Sequence, residues 1–128
     1  MTEKRIITYN EYASLLSRLI HKLVCDKRIK KIKTIYGIPR GGLPVAVHLS
    51  HIMKWSFATN LFDELYKNIL IVDDIADTGI TLKKYDNLYL TATLFYKACS
   101  SVKPDFYVEE TTKWIVFPWE DINEIPNR

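Results

Sequence analysis

The run Ile69-Leu70-Ile71-Val72, followed at once by Asp73-Asp74, restricts how this chain can fold more than any other feature. Four consecutive apolar residues, three of them β-branched, suit a buried strand. The apolar run stops on two adjacent carboxylates, so the strand delivers acids to its own mouth. Ile75, Ala76 and Asp77 lead into Thr78, Gly79, Ile80 and Thr81, a small-residue turn that brings hydroxyls and exposed backbone N–H groups to the start of an expected helix. Such groups can hold a sugar phosphate, with donors facing the phosphate and carboxylates facing ribose hydroxyls or a hydrated metal.

A second strand-and-turn unit precedes the first. Ile32–Tyr36 reads as a strand and runs into Gly37-Ile38-Pro39-Arg40-Gly41-Gly42. Pro39 restricts the backbone, while the paired glycines permit a tight turn or close backbone approach. Arg40 at that turn offers charged donors to a phosphate or pyrophosphate.

The rest of the chain alternates helix and strand. Thr8 and Glu11 have capping-box spacing, which predicts a helix over about 11–25 with Leu15, Leu16, Leu19, Leu23 and Val24 as its apolar stripe. A second helix is expected from Leu43 or Pro44 to Ile52, with Val45, Leu49 and Ile52 toward the sheet. Lys54–Ala58 reads as an edge or short strand, Ile80–Leu88 as a short helix that Asp86 and Asn87 can terminate, Thr91–Tyr96 as a strand and Pro104–Glu110 as a shorter strand or ordered loop. The expectation is an α/β fold with a mainly parallel sheet flanked by helices. At 128 residues the chain suits one domain, 1–128, and is short for two.

Charge and cysteine content narrow the function classes. Lysine and arginine exceed aspartate and glutamate by three, a weak bias compatible with an anionic small ligand. The basic run Lys27–Lys33 is local and reads as a solvated helix end, so a nucleic-acid partner is not expected. Cys25 and Cys99 lack metal-like pairing, which suggests a reduced, cytoplasmic protein, and no apolar run is long enough to span a bilayer. His21, His48 and His51 read as structural or solvent-facing, with no third ligand for a metal.

The tail, Lys113-Trp114-Ile115-Val116-Phe117-Pro118-Trp119-Glu120, can bring Trp114 onto a planar base while adjacent backbone reads its polar edge. The Lys97 ammonium can donate toward a purine 6-oxygen, which adenine lacks.

Asp73–Gly79 together with Tyr36–Gly42 resembles the type I phosphoribosyltransferase family, and 113–120 is similar to the base-binding hood of bacterial xanthine-guanine members. The resemblance spans nearly the whole chain, with 97–128 contributing the hood. It implies transfer of a 5-phosphoribosyl group from phosphoribosyl pyrophosphate (PRPP) to guanine, xanthine or hypoxanthine, releasing pyrophosphate, with Mg²⁺ as cofactor. Asp73 and Asp74 would engage ribose hydroxyls and organise the metal. Ala76, Asp77, Thr78, Gly79, Ile80 and Thr81 would cradle the 5′-phosphate, and Asp77 would assist proton removal near purine N7. Tyr36, Gly37, Arg40 and Gly41 would face pyrophosphate. Lys97 would recognise the 6-oxo group, Trp114 would stack on the base, and the Ile115 backbone would contact the base edge.

The connection through Phe57 to Asn68 is shorter than the flexible covering loop usual in the family. A PRPP- or nucleotide-sensing protein with little turnover, or a transferase for another nitrogenous acceptor, is the alternative reading. A homo-oligomer is expected, with a dimer first, because an isologous interface can cover apolar surface on so small a fold.

Overall fold

A computed structural model describes residues 3–61 and 68–123. Lys4–Ile6 forms β1, and Thr8 then caps α1, Tyr9–Val24, by accepting the Glu11 backbone N–H at 3.1 Å. Tyr12, Leu15, Leu16, Leu19 and Leu23 are buried on this helix. Val24 is not; at 57% exposure it stands off the stripe at the last turn. A short 3₁₀ helix, Lys27–Lys31, turns the chain into β2, Thr34–Gly37.

The next helix, α2, spans Gly42–Met53. Its buried face is Gly42, Val45, Ala46 and Leu49, and Ile52 lies on the flank at 52% exposure instead of against the sheet. Strands β3 (Ser56–Ala58) and β4 (Ile69–Val72) follow, and all four β4 residues are buried as their sequence requires. The short strand β5 (Ile75–Ala76) then leads to α3, which is one turn, Ile80–Lys83, and not the helix to Leu88 that the sequence suggests.

The expected strand Thr91–Tyr96 is broken into β6, Leu90–Ala92, and β7, Phe95–Tyr96. The break has a specific cause. The Asp74 carbonyl accepts the N–H groups of both Leu94 and Phe95, at 3.1 and 3.2 Å, so the ladder changes partner there from β4 to β5. Glu109–Glu110 (β8) pairs with β7, and Trp114–Val116 (β9) returns to pair with β1.

Every strand pairing among the described residues is parallel. The four-stranded sheet has the order β3-β2-β4-β6. From β2 the chain passes through α2 to β3 on one side and comes back to β4 on the other. In open α/β sheets, ligands bind outside the carboxyl ends of the strands where the order reverses in this way. Gly37 is in register with Val72, which brings the turn containing Arg40 beside Asp73 and Asp74. No helix among the described residues is long and apolar enough to cross a membrane.

Candidate active site

A cleft of about 400 Å³ opens at this switch point. One wall is the turn Ile38–Gly41, which includes a cis peptide between Pro39 and Arg40. The floor is Asp73 through Gly79 with Thr81 and Leu82, and Trp119, Glu120 and Asp121 close the third side. Of the residues singled out from the sequence, Arg40, Gly41, Asp73, Asp74, Ala76, Asp77, Thr78, Gly79 and Thr81 line this one space.

The two acids at the mouth of β4 are fixed differently. Asp73 is half-buried and accepts the Asp74 N–H at 2.8 Å. Asp74 is buried and accepts the Ile75 N–H at 2.8 Å, with its carboxylate against the Gly41 backbone. A Cβ at Gly41 would overlap that carboxylate, so glycine is required for the Arg40 turn to come this close to the acids.

Among the described residues no group of three or more His, Cys, Asp or Glu side chains could hold a metal ion. Mg²⁺ does not need such a group, because it keeps several waters and is bound through one or two carboxylates plus substrate phosphates. Asp73 and Asp74, side by side facing an anion-sized cleft that also holds Arg40, fit that donor pattern.

Asp77 forms an ion pair with Lys97 at 3.1 Å, both side chains being largely buried. The Lys97 ammonium also lies 5.5 Å from the centroid of the Trp114 ring, at cation–π distance. Asp77 on the floor, Lys97 just after β7 and Trp114 on β9 thus meet although 17 or more positions separate neighbours in sequence.

Other expected site residues take different places. Tyr36 does not line the cleft; it packs with Tyr85, ring centroids 6.3 Å apart, over Ile38, Ile69 and Ile71. Burial, followed by the neighbouring Tyr36, pushes the Tyr85 phenol above its ordinary value. Gly37 is buried within β2. The Ile80 side chain is exposed, and its N–H donates to the Thr78 hydroxyl at 3.3 Å. Ile115 is fully buried between two residues that bond β1: Trp114 N–H donates to the Glu3 carbonyl, and the Val116 carbonyl accepts from Ile7 N–H. A parallel ladder therefore turns the Ile115 peptide groups toward the opposite edge of β9.

The third wall was legible only as part of an aromatic tail. Trp119 stacks on Phe117 at 5.1 Å and meets the Tyr12 ring edge-on at 5.1 Å. Tyr12 Oη is 2.6 Å from His48 Nδ1, which gives this histidine a structural partner, and burial pushes the Tyr12 phenol up. These contacts hold Glu120 and Asp121 at the cleft, aided by a 2.9 Å bond from the Phe117 N–H to the Glu120 carboxylate. Nothing in local spacing marks them as lining residues.

No protein-family model matches the chain. Over 57 residues, 41% of its length, it is 40% identical to the xanthine-guanine phosphoribosyltransferase of Cereibacter sphaeroides, and the match spans 34% of that relative. Its fold superposes on the crystal structure of the purine phosphoribosyltransferase from Pyrococcus horikoshii with a TM-score of 0.81 at 32% identity, covering 97% of this chain and 99% of that one. The xanthine-guanine-hypoxanthine phosphoribosyltransferase of Helicobacter pylori has the same fold, with a TM-score of 0.81 at 18% identity and 93% of each chain covered.

Proposed function

Because the chain belongs to the type I phosphoribosyltransferase superfamily, we propose that it transfers the 5-phosphoribosyl group of PRPP to a 6-oxopurine, guanine, xanthine or hypoxanthine, with release of pyrophosphate. The observation that carries this reading is the convergence of Lys97 and Trp114 on Asp77, the one member of the trio that lines the acidic cleft. The trio combines a proton acceptor, a donor suited to a 6-oxo group and a stacking surface, and each comes from a different segment.

In this reading the Thr78–Thr81 loop binds the 5′-phosphate through N–H groups and hydroxyls. The donors belong to a loop followed by a single helical turn, so local hydrogen bonds rather than a macrodipole carry the interaction. Arg40 and the neighbouring backbone face the pyrophosphate. Asp73 and Asp74 engage the ribose hydroxyls and are the residues that would hold Mg²⁺. When bound, that ion would offset charge on the departing pyrophosphate.

The bond from the anomeric carbon to the pyrophosphate oxygen breaks as the bond from that carbon to the purine nitrogen forms. The electron pair of the broken bond leaves with pyrophosphate, and the proton lost by the base passes to Asp77. Cationic character on the sugar is matched by the acidic floor, and the bound base is aligned with the anomeric carbon. No covalent nucleophile is used.

Asp77→Asn tests the assignment. Asparagine keeps the size of the side chain and a polar contact with Lys97 but cannot accept the proton, so kcat should fall by about 100-fold or more while thermal stability changes little. Unchanged purine kinetics in a folded Asp77→Asn protein would remove Asp77 from the mechanism.

A further inference from the structure

The phosphate loop has no rigid element of its own: two residues of β5 precede it and one helical turn follows. A second segment, after β7, is bonded to it along its length. Lys97 N–H donates to the Ala76 carbonyl at 2.9 Å, Lys97 Nζ pairs with Asp77, and Ser101 N–H donates to the Thr78 carbonyl at 2.8 Å. Gly79 sits at φ +89°, and a Cβ there would lie 2.5 Å from Ser101 Oγ and 2.6 Å from Ser100 Oγ. Both hydroxyls therefore pack directly on the Gly79 α-carbon.

Ser100 is locked in turn. Its hydroxyl donates to the Val102 carbonyl at 2.7 Å and accepts the Val102 N–H at 3.3 Å, while its N–H donates to the Lys97 carbonyl at 2.8 Å. Val102 is anchored in a small apolar cluster with Ala76, Leu82 and Tyr96, on both sides of the loop.

We propose that Ser100 and Ser101 are positioning residues for the phosphate subsite, acting through Thr78 and Gly79. The inference rests on the reading of the Thr78–Thr81 loop as a phosphate site. Donors around a phosphate lose most of their value when displaced by a fraction of an ångström, so a support that fixes Gly79 acts on phosphate affinity before it acts on the fold.

Ser101→Val tests this by placing a branched side chain against Gly79 while retaining the Ser101 N–H bond. Steady-state kinetics should show KM for PRPP rising about tenfold, with KM for the base changed by less than about twofold. Calorimetric titration with ribose 5-phosphate should show the same weakening, and the melting temperature should stay near that of the wild type.

If Ser101→Val does not fold, Ser101→Ala takes its place. It removes the hydroxyl contact without adding bulk and should weaken ribose 5-phosphate selectively by a smaller factor. Parallel changes in both KM values, or ribose 5-phosphate affinity unchanged in a folded variant, would overturn the positioning role while leaving the transferase reading intact. A wild-type protein that binds neither PRPP nor ribose 5-phosphate would instead remove the phosphate assignment, and this inference with it.

Discussion

Lys97 has two partners that no local pattern in the sequence joins. Its ammonium pairs with Asp77 at 3.1 Å and lies over Trp114 at 5.5 Å, so a carboxylate, an ammonium and an indole are set relative to one another by a single side chain. A site built to hydrogen-bond a substrate oxygen discriminates strongly, because its buried polar group is left unpaired by the wrong ligand. Lys97→Met keeps the length of the stem and removes the charge. Its KM for guanine and hypoxanthine should rise roughly tenfold or more, equivalent to about 1.4 kcal/mol or more. The ratio against adenine, measured by competition, should narrow. The acids themselves were legible: an apolar strand that ends in Asp73-Asp74 puts them at its mouth whatever surrounds it. The Lys97–Asp77 pair was not, since it depends on the return of β7 alongside β5.

The elements behave similarly. α1 was readable from its cap and its leucines, and β4 from its unbroken apolar run, because each carries its own periodicity and stop signal. The split between β6 and β7 was not readable, because one carbonyl on another strand, that of Asp74, takes two N–H groups at the break. Gly41 shows how closely these elements meet. Gly41→Ala would push against the buried Asp74 carboxylate, and overpacking of that kind costs about 1–3 kcal/mol. The variant should melt at a lower temperature and lose transferase activity with it.

Glu109 on β8 ties three elements together, bonding Arg5 of β1 at 2.7 Å and Arg18 of α1 at 3.0 Å. The Arg5 hydrogen bond first, and that of Arg18 after it, holds the Glu109 carboxyl below its ordinary value of 4.5. Being more acidic folded than unfolded, this group adds stability that is complete above pH 4.5 and is lost as pH falls through the lower folded value. The difference in melting temperature between wild type and Glu109→Gln should therefore be largest near neutrality and shrink as the pH falls below 4.5. A difference independent of pH would detach Glu109 from the acid sensitivity of the fold.

Across the whole molecule, the reversal of strand order between β2 and β4 decides where chemistry can occur. It brings a cationic turn to an acidic strand end, and the pairing of β1 with β9 fastens the aromatic tail to the N-terminus so that Trp119–Asp121 closes the cleft. The α/β class followed from alternating strand and helix signals, whereas the closing wall depends on contacts between the two ends of the chain. The covering-loop region, of which Phe62–Lys67 lie outside the described residues, adds nothing to this comparison.

The most direct test is product analysis after supplying PRPP and Mg²⁺ with guanine, xanthine, hypoxanthine or adenine in separate reactions. A 6-oxopurine mononucleotide should form with one pyrophosphate per turnover, and adenine should yield little or none. No product from any base, with PRPP binding verified in the same preparation, would contradict purine transfer and leave a sensor or a transferase for a different acceptor.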